Sequence, residues 1–363
     1  MKRFVYKARF FGKATNRGWL EAFLKLGLVV VFGWIIYEQR FAERDLSTLF
    51  TQFGQQVREA PIGWLWVALL LMPINWWLES RKWQVFTRTF TRASPGAHLR
   101  AVLAGVTFSL FTPNRIGDYL GRMLIHGEKR KGRIVLATLA ANMVQLVVIL
   151  SAGWLGALYF LPRYTQIPWS QWGPLALIGL GGTIGLMLVG TCGPYLLLIV
   201  KKIRWIQRFS WVRHSISVGT AYASQQFWQA LGWALLRYGV YAGQYYSLLR
   251  FTGIDVLPAA AASGIATTFL IQTSVPLPPA LGLLARGEIA LFVWGIFGAN
   301  EWRILCASYG LFGINLLLPG LFGLTMILRI NFLKPTNHEN IFAENRPTHS
   351  IPDAIRRADH SGR

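Results

Sequence analysis

What most constrains this chain is a succession of apolar runs of about 17 to 29 residues nearly free of charge, each long enough as a helix to cross a hydrocarbon core of roughly 30 Å. Inside a bilayer every backbone N–H and C=O must find a partner within the protein, which leaves helices and closed barrels as the spanning structures. Runs of this length predict helices, so the fold class expected is an all-α polytopic membrane protein. Composition agrees: 53% of the residues are apolar or aromatic and 14% are charged, against about 25% charged in an ordinary soluble domain. The 37 Lys and Arg outnumber the 15 Asp and Glu and give a net charge of +22. In a soluble protein that excess would suggest nucleic acid. Here the charges lie between apolar runs, where a cytoplasmic membrane face of anionic headgroups accounts for them.

Cys192 and Cys306 both sit inside apolar runs, and the six histidines show no ligand spacing. Neither a disulfide framework, a metal site nor a cofactor is expected. His98, His126 and His214 fall in basic loops and are expected to be solvated. The first apolar run, about Ala22 to Tyr37, follows a basic leader with no small-residue cleavage site behind it, and reads as a retained helix.

Lys and Arg in short loops set orientation. The leader, residues 1–19, has six of them and no acid, which predicts a cytoplasmic N terminus. Residues 38–61 read as an outside loop. A span near Ile62 to Leu78 returns the chain to a basic cytoplasmic segment, residues 79–100, with Arg81, Lys82, Arg88, Arg92 and Arg100. The apolar stretch Ala101 to Thr112 is too short to span, and Lys129, Arg130, Lys131 and Arg133 beyond it should again be cytoplasmic. Residues 101–125 are therefore expected to enter the membrane and turn back. Spans follow at about Ile134 to Phe160, Trp172 to Val200, Val218 to Leu249 and Ile304 to Leu328, with a further apolar element at Pro258 to Val275. A second turn-back at Pro276 to Ala299 keeps the polar tail, 331–363, cytoplasmic and disordered. The expectation is one transmembrane domain over 20–330, with six spans and two re-entrant hairpins in an inverted repeat of halves 20–163 and 170–330.

Few charges fall at membrane depth: Arg115, Asp118, Arg122, Arg237, Arg286 and Glu288. Intramembrane ionisable groups mark functional sites by default. Arg115, Asp118 and Arg122 share one helix face, and Asp118 with Arg122 is an i,i+4 acid–base pair. Pro113 suits a helix start and Gly117 follows it. The amides of that half-helix, with the two arginines, would hold a phosphate. The second hairpin repeats the grammar with Pro276, Pro279, Gly282, Arg286 and Glu288. Glu288 is expected to pair with Arg115 or Arg122. An alternative stays open in which these charges only clasp the two hairpins together.

Among weaker signals, Gly179-Leu-Gly181-Gly182 lies inside an apolar span and reads as helix packing. Asn142, Gln145, Gln225, Gln226, Gln244 and Gln272 suit interhelical hydrogen bonds or a polar path.

At the two hairpins the chain resembles the lysylphosphatidylglycerol synthase transmembrane family, also called the flippase-like domain. Thr112-Pro113-Asn-Arg-Ile-Gly117-Asp118-Tyr-Leu-Gly121-Arg122 is similar to its first motif, and Pro276 through Gly282 to Glu288 to its second. The resemblance covers roughly residues 15 to 330. It implies a domain that moves a phospholipid between leaflets. The chain departs from the pattern at Pro279-Ala, where a glycine pair is usual, and no soluble aminoacyltransferase domain follows Arg329, so no synthase activity is implied.

The reading reached is a non-enzymatic lipid translocator of the inner (cytoplasmic) membrane, with Arg115, Asp118, Arg122, Arg286 and Glu288 binding an anionic or lipid-linked headgroup. Its partners are that lipid, the membrane and a second copy in a homodimer, and no nucleic acid. Without an ATP-binding motif, transport would run downhill or be ion-coupled. The rivals are an integral membrane enzyme using Asp118 and Glu288 as acid and base, and a non-transporting accessory subunit.

Overall fold

The computed structural model describes residues 61–110, 112, 116–126, 131–200, 224–274 and 279–328. The leader, the first apolar run, Pro113, Arg115, residues 127–130, Pro276 and the tail lie outside the described residues. Every element described is a helix: α1 (Gly63–Thr87), α2 (Pro95–Leu110), α3 (Ile116–His126), α4 (Lys131–Tyr164), α5 (Trp169–Val200), α6 (Ser224–Phe251), α7 (Pro258–Ser274), α8 (Pro279–Gly295), α9 (Glu301–Phe312) and α10 (Leu318–Leu328). A five-residue π-helical turn, Gly313–Leu317, joins α9 to α10 without a break. Among the described residues, α4, α5 through Cys192, and Glu301–Met326 are long and apolar enough to cross a membrane. Helices α1 and α6, with 25 and 28 residues, have the length as well, about 38 and 42 Å, but carry charge along it.

The chain's longest partnership is between α1 and α6. Gln244 donates to the Ala68 carbonyl, Arg237 meets Glu79, and Gln226 reaches the Val85 carbonyl; rising numbers on one helix meet falling numbers on the other, so the two run antiparallel. Helix α4 packs likewise on α7, where the bare faces of Gly153 and Gly156 lie against Leu270 and Ala266. Two apolar cores result. One gathers Trp83 and Phe86 of α1, Val102 and Val106 of α2, Ile134 and Val144 of α4, and Phe227 and Leu231 of α6. The other gathers Phe160 of α4, Tyr245 and Leu249 of α6, Ile265 and Phe269 of α7, Val293 and Trp294 of α8, and Ile304 and Leu311 of α9. Thus α1, α4 and α6 run through both cores, while α2 belongs to one and α7 and α8 to the other.

The α2–α3 pair is the first hairpin the sequence suggests. Its helices approach to backbone contact: a Cβ on Gly121 would collide with the Ala104 backbone and one on Gly117 with the Phe108 carbonyl. Spacing of i,i+4 puts both glycines on one face, and small residues there let two backbones close up. Thr112 ties the corner, donating to the Phe108 carbonyl at 3.0 Å and accepting from the Gly117 N–H at 2.7 Å.

Three expectations need correction. Helix α1 does not end near Leu78 but continues to Thr87, because its last three turns bury Trp83, Val85 and Phe86 in the first core. Second, Pro279 does not break a helix but starts one: α8 runs unbroken from Pro279 to Gly295, since a proline at the start of a helix sacrifices no internal hydrogen bond, and the turn described in this stretch follows it at residues 296–298. Third, His98 is not solvated. The first turns of α2 dock beneath the end of α1, leaving His98 1% exposed, with Nε2 2.8 Å from Thr87 Oγ1 and Nδ1 3.0 Å from the Ser94 carbonyl.

Candidate functional site

Asn75, Glu79 and Lys82 recur at i, i+4 and i+7, so they form one polar stripe on α1. Facing that stripe are Asp118 and Arg122 of α3, Gln145 of α4 and Arg237 of α6. The Arg122 guanidinium forks onto Asp118, with Nε 2.8 Å from Oδ1 and Nη2 3.0 Å from Oδ2. The same Nη2 reaches Glu79 Oε1 at 3.1 Å. The other oxygen of Glu79, Oε2, lies 2.6 Å from Lys82 Nζ and 3.3 Å from Arg237 Nη1. Gln145 Oε1 then accepts from both of those cations, at 3.1 Å from Lys82 and 3.2 Å from Arg237. Indole faces back the guanidinium groups: Arg122 sits 5.0 Å from the Trp83 ring centre and Arg237 5.5 Å from that of Trp76.

Glu79 is therefore the hub, one carboxylate shared by three cations from three helices. Exposure is 3% for Glu79, 1% for Lys82, 7% for Asp118 and 2% for Arg122. The Arg237 side chain, at 17%, is the most accessible of the charged members. Arg237 lies half-way along α6, about 20 Å from either end, so the network sits far from both membrane faces if α6 spans. Ionised groups at such a place cost several kcal/mol each unless paired, which is why every charge here has an opposite charge in contact. Gly105 makes room for the pairing, since a Cβ there would meet Asp118 Oδ1.

A second polar link joins α1 to the π-helical turn. Asn75 Nδ2 donates to Asn315 Oδ1 at 2.8 Å, and Asn315 donates to the Leu311 carbonyl at 3.3 Å. Pro73, two residues before Asn75, lies inside α1 and has no N–H to give the helix ladder.

The second motif lies elsewhere. Arg286 on α8 is half-buried over the Phe312 ring, and its carbonyl accepts from Ser308 Oγ at 3.3 Å. Gly287 is buried against the Tyr309 hydroxyl, while Glu288 is exposed and Gly282 has open space where a Cβ would stand. Of the expected site residues, then, Asp118 and Arg122 come together as their i,i+4 spacing predicts, and Gly117 serves the α2–α3 contact. The expected Glu288–Arg122 pair does not form, because Asp118 and Glu79 take the Arg122 guanidinium. Arg115, its alternative partner, lies outside the described residues. Glu79 and Lys82 went unrecognised because Arg81 and Arg88 beside them read as a loop; the signal available was the i, i+4, i+7 stripe itself.

Helix packing and a buried ionic centre leave the lineage open until the whole sequence is compared. A family model described as the lysylphosphatidylglycerol synthase TM region matches residues 22–326. The chain belongs to that family. No curated protein and no solved structure matches it. Membership in the lysylphosphatidylglycerol synthase TM-region family makes it a multi-pass membrane protein related to lipid synthesis or translocation. The matched span takes in every helix that supplies the network and all but the last two residues of α10.

Proposed function

We propose that the protein translocates a lipid with an anionic headgroup between the leaflets of the inner membrane, and that the network around Glu79 is where the headgroup crosses. The observation that carries this is a desolvated ionic centre built from three cations and two carboxylates at the middle of a long helix, in a family tied to lipid chemistry. Three donor-bearing side chains in one place suit a phosphate oxygen, and α1, α3, α4 and α6 would pass it without exposing charge to hydrocarbon. The helix pairs α2–α3 and α7–α8 act in this reading as hairpins that turn back within the bilayer, on opposite sides of six spanning helices, with both termini cytoplasmic.

The test is leaflet exchange. Fluorescent phosphatidylglycerol in liposomes, quenched from outside, should become fully accessible with wild-type protein. Exchange should fall at least tenfold with Arg237→Gln and remain near wild type with Arg286→Gln, whose ring contact lies on α9. Liposomes whose inner-leaflet probe stays protected despite folded wild-type protein would refute the proposal.

A further inference from the structure

The charges of the network do not balance. Glu79 and Asp118 supply two negative charges and Lys82, Arg122 and Arg237 three positive ones, all within one chain of ion pairs. Two routes lead to neutrality in a medium that tolerates little net charge: one positive charge leaves, or one negative charge arrives. Arginine keeps its proton in proteins, whereas lysine gives it up when buried. Protonating either carboxylate would only widen the imbalance.

Lys82 is therefore the member able to change charge. Facing it are Glu79 of its own helix, Arg122 of α3 with Asp118 behind it, Arg237 of α6 and Gln145 of α4. His98 of α2 packs edge-on against the Trp83 ring, bonded to Thr87 and Ser94; Arg81 is turned to Gln84. On the anion's side, Arg122 Nη1 is buried with no hydrogen-bond acceptor among the described residues, and Arg237 is the most accessible charged member.

We infer that the network takes up one monoanionic group and one proton together, the anion settling on Arg122 and Arg237 and the proton on Lys82 Nζ. The proton comes from water to the amine lone pair, where Glu79 Oε2 and Gln145 Oε1 hold the resulting ammonium; no other bond forms or breaks. Empty and loaded states are then both neutral, so the pair would cross without moving net charge. A phosphodiester, with a single negative charge and two acceptor oxygens, fits this balance, and a dianionic phosphomonoester leaves a buried excess. The choice of a lipid as the anion's source rests on the translocator reading; the coupling does not.

Calorimetry of the full chain in non-ionic micelles tests it, with dihexanoylphosphatidylglycerol as probe and paired buffers of different ionisation enthalpy. One proton should be absorbed per lipid bound, and affinity should fall about tenfold for each pH unit of increase. In Lys82→Met the proton uptake and the pH slope should both vanish; if that variant fails to fold, the buffer comparison on wild type still decides. Dimethyl phosphate, a soluble phosphodiester with one fixed negative charge, giving the same coupled uptake as the lipid supports the coupling and assigns the anion to solution. Binding without proton uptake, or no binding of either probe, overturns the inference. Coupled binding by protein that performs no leaflet exchange overturns the translocator reading alone.

Discussion

Replacing Glu79 with Gln keeps the shape of the hub and removes its charge. Three cations lie 2.6, 3.1 and 3.3 Å from its oxygens. At an effective dielectric of about 20 each attraction is worth about 5 to 6 kcal/mol before desolvation is subtracted. Desolvation takes back most of that, and removing one partner from a buried pair costs about 3–5 kcal/mol net. Glu79→Gln strands three partners, with Asp118 alone to oppose them, so it belongs at the upper end, about 5 kcal/mol. Asp118→Asn strands only Arg122, which keeps Glu79, and belongs near 3 kcal/mol on the same scale. Equilibrium unfolding in mixed micelles, followed by tryptophan fluorescence, measures both. The double variant Glu79→Gln/Lys82→Met removes the hub carboxylate together with the amine it holds at 2.6 Å and should regain about half of the loss, a coupling that independent sites lack. A loss below about 1 kcal/mol for Glu79→Gln, the value of an exposed ion pair, would refute the reasoning.

Gly121→Ala should destabilise by about 1–3 kcal/mol or more, because the Ala104 backbone it would strike cannot yield, whereas Gly181→Ala, in open space, should leave the same unfolding curve in place. Asn75→Leu should cost about 1–3 kcal/mol by leaving a buried Asn315 amide unmatched, and Asn75→Leu/Asn315→Leu should recover part of it; additive losses would deny the contact. Thr112→Val should cost about 1 kcal/mol and loosen the α2–α3 corner, seen as faster hydrogen exchange at the Gly117 amide.

Much of the fold was legible because hydrophobic run length is set by the bilayer. The α4, α5, α6 and α7 segments are predicted within a few residues of Lys131–Tyr164, Trp169–Val200, Ser224–Phe251 and Pro258–Ser274, and a short apolar stretch before a basic cluster pointed to the α2–α3 pair. Run length fails where a helix carries charge inside the protein. The last turns of α1 look like a loop by composition, since Glu79, Arg81, Lys82 and Arg88 lie close together, yet Glu79 and Lys82 pair with one another and meet Arg122, Gln145 and Arg237 on three other helices. Asp118–Arg122 was readable as a local i,i+4 pair; its link to Glu79, 43 residues away, has no local signature. Gly105 is silent for the same reason, its meaning residing in a side chain on the next helix.

The π-helical turn at Gly313–Leu317 has a geometric outcome. Each turn closed by an i→i+5 bond holds one residue more than an α-turn, which rotates everything downstream by about 100° around the axis. Upstream, α9 presents Ile304, Ala307 and Leu311 to the second core. Downstream, α10 brings Gly320 and Gly323 against α2, where Thr107 donates to the Gly320 carbonyl at 2.9 Å. One rod thus serves neighbours lying in two directions, with the extra residue acting as a phase shift between them. Deleting a single residue there would leave both flanking helices intact, yet aim the glycine pair away from α2 and uncouple the rod from the first hairpin.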